Sequence, residues 1–225
     1  MRETLVRAVS LGRAYGSGSN TVTAVHDATF TMDAGDTVAV VGPSGSGKST
    51  LLHLIAGLDE PTSGSIGWPA LGDRRALRPG PVAMAFQGPS LLPPLTVEEN
   101  VALPMILAGH AERDATAAAR DLLAVFCVDS VADRLPEELS GGQSQRVGLA
   151  RAFSGAPRLV LADEPTGQQD RETGGRLLDA IMTVAVSQGM TLIVATHDAT
   201  VADRLAARWT MRDGSLRTAE LTCSA

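Results

Sequence analysis

Three short stretches of this chain combine residue types that suit polyphosphate chemistry. Gly42, Pro43, Ser44, Gly45, Ser46, Gly47, Lys48, Ser49 and Thr50 follow one another in the spacing Gly-x-x-x-x-Gly-Lys-Ser. Glycines let consecutive backbone N–H groups curl round an anion, Lys48 adds a full positive charge, and the Ser49 hydroxyl is placed to hold Mg²⁺. Lys48 is the one lysine in the chain, beside 18 arginines, at a position where a compact point charge differs physically from a planar fork. Further on, Leu159-Val-Leu-Ala-Asp163-Glu164-Pro165 ends an apolar run in two acids. Asp163 can assist Mg²⁺ through its water shell, and Glu164 can take or orient the proton of an attacking water. By themselves these acids could as well be solvated groups capping a turn. Leu139-Ser140-Gly141-Gly142-Gln143, ahead of a helical run carrying Arg146 and Arg151, makes a second anion site from a hydroxyl, glycine amides and a helix N-terminus. One phosphate loop already saturates one nucleotide, so two grips per chain suggest two chains sharing each nucleotide.

These residues need a scaffold, and the pattern supplies one. Leu5 to Val9 and Thr29 to Met32 read as strands separated by a soft turn at Gly16 to Asn20, and Thr37 to Val41 is a short apolar strand running into the glycine loop. Helical spacing follows from Ser49 to Gly57. The stretch 59–81 is rich in Gly, Pro and Arg and predicts irregular chain with at most short edge strands. Val82 to Phe86 is a strand, Gly88 to Leu95 a loop, and helices are expected over Val97 to Ala108, with a kink at Pro104, over Glu112 to Phe126, and from about Gly142 to Ser154. Alternation then returns: strand Leu159 to Ala162, helix Asp170 to Ser187, strand Thr191 to Ala195, helix Ala199 to Ala206, and a hairpin of Trp209 to Met211 with Ser215 to Arg217 around Asp213-Gly214. Near-continuous apolar strands between helices point to a parallel sheet covered on both faces. The boundaries suggest an α/β core over 1–94 and 156–225 with a helical subdomain at 95–155.

Composition narrows the function classes. The chain has 225 residues, 44% of them hydrophobic, and a net charge of −6, which disfavours a basic nucleic-acid-coating protein or broad attraction to anionic lipid. Its longest apolar runs fall far short of the roughly 20 residues that a membrane-spanning helix requires, and the first residues do not read as a secretory signal. With only Cys127 and Cys223 there is no disulfide framework, and the expected compartment is the cytoplasm with both thiols reduced.

The three stretches, taken in their order along the chain and over almost its whole length, resemble the nucleotide-binding subunits of ABC transporters. The resemblance implies an α/β, P-loop NTPase cassette with a mostly parallel core sheet, an N-terminal antiparallel β subdomain and an inserted helical subdomain. It implies ATP and Mg²⁺ as ligands. Tyr15 fits the aromatic that stacks on adenine, though in isolation an exposed turn aromatic is as good a reading. Gln87 fits the glutamine that touches Mg²⁺ and the attacking water and senses the membrane partner. Ser140, Gly141, Gly142 and Gln143 fit the signature that grips the γ-phosphate bound to the opposing subunit, Asp170 the acid of the loop crossing the dimer seam, and His197 the γ-phosphate switch. His26, His53 and His110 read as structural.

By the same resemblance, two cassettes close head to tail on ATP and drive a transmembrane permease from the cytoplasmic face, through the region of Gln87 and the apolar loop Leu91 to Leu95. No nucleic-acid partner is expected. Leu161 to Gly167 and Glu99 to Pro104 are similar to the lipoprotein-release, macrolide-export and cell-division group. Two departures stand out: Gln168-Gln169 replaces the usual Asn-Leu before Asp170, and the 59–81 stretch is short, closer to sulfonate or nitrate importers. Arg74, Arg75 and Arg78 in that stretch read as a solvated turn by default and as an anionic-partner contact by the minority view. An importer ATPase and an ABC ATPase acting on nucleic acid or ribosomes therefore stay as alternatives. A kinase or GTPase would leave the Ser140 stretch unexplained.

Overall fold

A computed structural model of the chain describes residues 2–88 and 90–218, without the side chain of Arg171. It divides into two compact units, one formed by residues 1–77 with 191–225 and the other by residues 78–190. Cys223 lies outside the described residues; Cys127 is a free, exposed thiol.

The first unit is built on strands β1 (Thr4–Tyr15), β2 (Val22–Asp33), β3 (Thr37–Val41), β4 (Ser63–Gly67), β7 (Thr191–Thr196), β8 (Ala207–Arg212) and β9 (Ser215–Thr218). Their order is β4-β1-β2-β9-β8-β3-β7. β1 is antiparallel to both β2 and β4, whereas β3 runs parallel to β7 and β8, with Val38 opposite Ile193 and Val40 opposite Trp209. The chemistry of the strands explains this split. Thr37–Val41 and Thr191–Thr196 are near-continuous apolar runs with their central residues buried, as strands covered on both faces must be. β8 alternates buried and exposed residues and needs cover on one face only. It turns into β9 at Asp213 and Gly214, both at positive φ, the pairing that a two-residue hairpin turn prefers.

Two expectations are corrected here. β1 and β2 are twelve residues each, longer than the stretches Leu5 to Val9 and Thr29 to Met32. Register shifts interrupt their pairing, and Ser10 and Asp27 adopt positive φ, so the two-residue alternation breaks while the ladder continues. The helix expected over Ala199 to Ala206 is a single turn, α6 (Ala199–Ala202). The Ala206 amide donates instead to Thr37 Oγ1 at 3.1 Å, which turns the chain into β8 beside β3. In the same unit α1 (Lys48–Ile55) follows β3, and Gly57, at φ 66°, lies just past its end.

The second unit pairs β5 (Val82–Ala85) in parallel with β6 (Leu159–Asp163). Its helices are α2 (Val97–Leu107), α3 (Glu112–Val125), α4 (Gly141–Ser154) and α5 (Arg171–Ser187). α2 starts at a capping box between Thr96 and Glu99 and continues past Pro104, whose carbonyl accepts from the Ala108 amide at 3.1 Å. Packing of α2, α3 and α4 is apolar: Val101, Ala119, Leu123, Val147 and Ala150 are fully buried. Among the described residues no helix is long and apolar enough to cross a membrane.

Candidate functional site

The phosphate-loop residues lie in the first unit, between β3 and α1. Gly47 is the N-cap of α1 at φ 99° and no side chain caps that helix start. A Cβ there would come within 2.0 Å of the Ala24 carbonyl oxygen, and one on Gly42 within 2.1 Å of that of Met211. Only glycine therefore fits either position, and the loop is held against backbone on one side. Gly45, at φ 78°, has nothing within 4 Å of its missing Cβ and faces open space. Lys48 is buried and donates to the carbonyls of Gly42 at 2.8 Å and Pro43 at 3.1 Å. Its ammonium is thus folded onto the carbonyls of its own loop. The buried Ser46 hydroxyl makes no hydrogen bond, which costs about 1–3 kcal/mol in the absence of a partner; an anion oxygen in the loop would remove that cost. Ser44, Ser49 and Thr50 complete the turn and the first helical residues as the sequence suggested.

Tyr15 ends β1 and is half exposed, but it is not a bare surface aromatic. Its hydroxyl donates to Asp59 Oδ2 at 2.6 Å, and the Arg13 guanidinium lies 4.5 Å from the ring centroid while pairing with Asp59 at 2.8 Å. Burial opposes ionisation of Asp59, yet the Tyr15 hydroxyl, the Glu60 amide and Arg13 together hold its carboxyl below the ordinary value. The ring is therefore oriented by its neighbours. His197 follows β7 directly and is exposed. His26 Nε2 lies 3.1 Å from the Asp213 carbonyl at the hairpin, in keeping with a structural role. Arg74 donates to the Gly57 carbonyl at 2.8 Å and pairs with Glu60, so it closes the end of α1.

The second unit carries the acids and the Ser140 turn. Asp163 ends β6 and, like Glu164 after it, is buried. Asp163 Oδ1 accepts no hydrogen bond, and Glu164 adopts a left-handed φ of 48°. Ser140 is the N-cap of α4 within a capping box: its hydroxyl accepts from the Gln143 amide at 3.2 Å and Gln143 Oε1 accepts from the Ser140 amide at 2.9 Å. Gly141 and Gly142 form the first turn behind it. Asp170 is the N-cap of α5 and accepts from the amides of Glu172 and Thr173, both at 3.0 Å. Gln87 is exposed and lines a cavity of about 280 Å³ with Leu139, Gly141, Ser144, Gln145 and Gln168.

Gln145 and Asn100, which help to organise this unit, are not singled out by the sequence, and the partner of Arg151 is not legible there. Gln145 is buried and donates to the Glu164 carbonyl at 2.8 Å. Its signal is visible in retrospect, because it occupies the stripe of α4 shared by Leu149 and Ala152. Asn100 is fully buried; its Oδ1 accepts from the Leu92 amide at 2.7 Å and its Nδ2 donates to the carbonyls of Leu92, Leu95 and Thr96. Arg151 donates to Ser90 O at 2.8 Å and Ser90 Oγ at 2.7 Å, and burial lowers its pKa. These two side chains pin the segment that follows Gln87. Among the described residues no group of three or more His, Cys, Asp or Glu could hold a metal ion.

Comparison with known proteins gives a consistent result. Residues 25–167 match the family described as ABC transporter. The lipoprotein-releasing system ATP-binding protein LolD of Legionella pneumophila (strain Lens) is 36% identical over 223 residues, spanning 96% of this chain and 98% of that protein. Its namesake from Idiomarina loihiensis is 39% identical over the same share of both. Among solved structures, the dimeric ATP-binding cassette MJ0796 bound to ADP and Pi in a post-hydrolysis state superposes with a TM-score of 0.87 at 31% identity, covering 95% of this chain and 98% of that one. cbiO1 from Clostridium perfringens, part of the ABC transporter complex cbiONQ, reaches 0.80 at 24% identity over 96% of this chain and 87% of its own, a likeness of fold.

Proposed function

Because this chain belongs to the ABC transporter family and is an ATPase, the ATP-binding subunit of such a transporter, we propose that it drives a separate permease of the lipoprotein-release type. It would do so as a peripheral protein on the cytoplasmic face of the membrane. The observation that carries the reading is the Lys48 loop: an uncapped helix start, an ammonium folded onto its own loop carbonyls and a buried hydroxyl without a partner. An incoming triphosphate would supply acceptors to the uncapped helix-start amides and to the Ser46 hydroxyl and would place its negative charge beside the Lys48 ammonium. Tyr15, already braced by Arg13 and Asp59, offers a ring face to adenine.

Ser49, Gln87 and Asp163 offer a hydroxyl, an amide oxygen and a carboxylate, the hard oxygen donors that Mg²⁺ takes, and we assign them to it. Held there, Mg²⁺ would supply positive charge against the phosphates. Glu164 takes the proton of the attacking water, Gln87 helps to orient that water, and His197 contacts the γ-phosphate. The turn Ser140, Gly141, Gly142 and Gln143 serves the nucleotide of a second copy, and Asp170 lies at the seam. Support for a permease partner comes from apolar surface in the second unit: Phe86, Leu92, Ile106 and Leu107 are exposed, and a cleft of about 700 Å³ lies between Met84, Leu103, Leu107 and Arg151.

The test is Glu164→Gln, which keeps size and hydrogen bonding but removes the base. ATP binding should stay at wild-type strength, turnover should fall about 100-fold or more, and an ATP-dependent dimer should accumulate in light scattering. Turnover within twofold of wild type would remove Glu164 from its role.

A further inference from the structure

Glu164 holds a left-handed backbone conformation at φ 48°, which a residue with a side chain keeps only where its surroundings over-determine it. Two donors fix its carbonyl: the Gly167 amide at 3.1 Å and Gln145 Nε2 at 2.8 Å. Gln145 is itself held, since its Oε1 accepts from Gln169 Nε2 at 3.3 Å, and the same Gln169 amide donates to the Gly142 carbonyl at 2.9 Å. Arg146 Nε also approaches that carbonyl, at 3.3 Å. The direction of this chain of bonds is determined by its ends. Both are backbone carbonyls, which only accept, so each glutamine must turn its NH₂ toward them. Gln169 therefore feeds Gln145, and Gln145 feeds Glu164.

The glycine turn is shaped to the two adjacent glutamines. A Cβ on Gly142 would lie 3.0 Å from Gln169 Nε2, and one on Gly141 2.7 Å from Gln168 Oε1. These are the positions where the sequence departs from Asn-Leu, and a leucine at 169 has no donor to give.

We infer that Gln169 and Gln145 are positioning residues that tie the Ser140–Gln143 turn to the strained backbone of Glu164 within one polypeptide. The inference rests on the proposed roles of Glu164 and of that turn. When the turn serves the partner's nucleotide and Glu164 its own, the relay makes closure at one site of the dimer bias the geometry of the other.

The experiment uses the full chain with Gln169→Leu and Gln169→Glu, the second an isostere whose carboxylate cannot donate to Gly142. In each variant kcat should fall about 5- to 20-fold with the monomer's affinity for ATP unchanged, and Hill coefficients for ATP should drop toward one. In a Glu164→Gln background, the ATP concentration giving half-maximal dimer in light scattering should rise about fivefold or more. Gln145→Ala combined with Gln169→Leu should be no worse than the poorer single variant, as members of one relay are not additive. Wild-type kcat and dimerisation in both Gln169 variants overturn the inference. So does a lowered melting temperature with kcat per folded protein unchanged, which would reduce the relay to packing. Failure of the Glu164 assignment shows up separately, as turnover retained in Glu164→Gln alone.

Discussion

Two helices in this chain start at glycine-rich turns, and they finish those starts in opposite ways. α1 begins after Gly47 with no side-chain cap, so the orphan amides of its first turn are left for whatever enters the loop. α4 begins after Ser140 inside a reciprocal capping box with Gln143, so two of its donors are satisfied from within. The glycines differ in the same sense. Gly47 is crowded by backbone at 2.0 Å, whereas Gly141 is crowded by the end of a glutamine side chain at 2.7 Å. The first turn is a fixed receptacle; the second is closed on itself and can adjust when a ligand arrives. That contrast suits the proposed division between a grip for the chain's own nucleotide and a grip for that of a second copy.

The contrast can be broken most severely at Gly47. Gly47→Ala drives a Cβ into the Ala24 carbonyl and forces a side-chain-bearing residue to φ 99°, and it should cost about 3 kcal/mol or more of stability, read by urea unfolding. A loss below about 1 kcal/mol would show that the loop yields and is no rigid receptacle. Ser140→Ala sharpens the other side. It removes the α4 cap at a cost of about 1 kcal/mol and should lower steady-state hydrolysis while leaving the monomer's ATP affinity unchanged; a large loss of that affinity would put the turn in the chain's own site. The smallest effect concerns a third helix start. Hydrogen bonds from Thr173, its amide foremost, and from Glu172 hold the Asp170 carboxyl below its ordinary 3.8. The ionised cap therefore stabilises α5 fully above that value and loses its contribution as pH falls through the lower, folded one. The advantage of wild type over Asp170→Asn in denaturant midpoints should shrink as pH is lowered below 3.8. A pH-independent difference between the two would discount the charge.

Local chemistry made much of the molecule legible in advance. The start of α1 follows from the glycine loop, and the starts of α4 and α5 from Ser140 and Asp170, because N-caps and turn glycines act within three or four residues of chain. The apolar strands β3, β6 and β7 were equally readable, since strands buried on both faces carry continuous runs. β1 and β2 were underestimated because register shifts spoil alternation without ending the ladder, and α6 was overestimated because a distant hydroxyl, that of Thr37, takes up the Ala206 amide. At the candidate site, residue identities were visible but their engagements were not. Nothing in the spacing shows that Arg13 and Asp59 brace Tyr15, or that Asn100 and Arg151 anchor the segment after Gln87.

By itself the sequence determined which residue types make up the candidate site and on which element each one stands, because those assignments depend on neighbours a few bonds away along the chain. Tertiary structure alone decided how Glu164 is held. The donors that fix its strained carbonyl come in part from α4, 19 residues earlier in the chain, and the link through Gln169 closes only once β6, α4 and the turn before α5 have packed. A hydrogen bond reaches about 3 Å and is blind to sequence distance, so only the folded chain could bring these amides together.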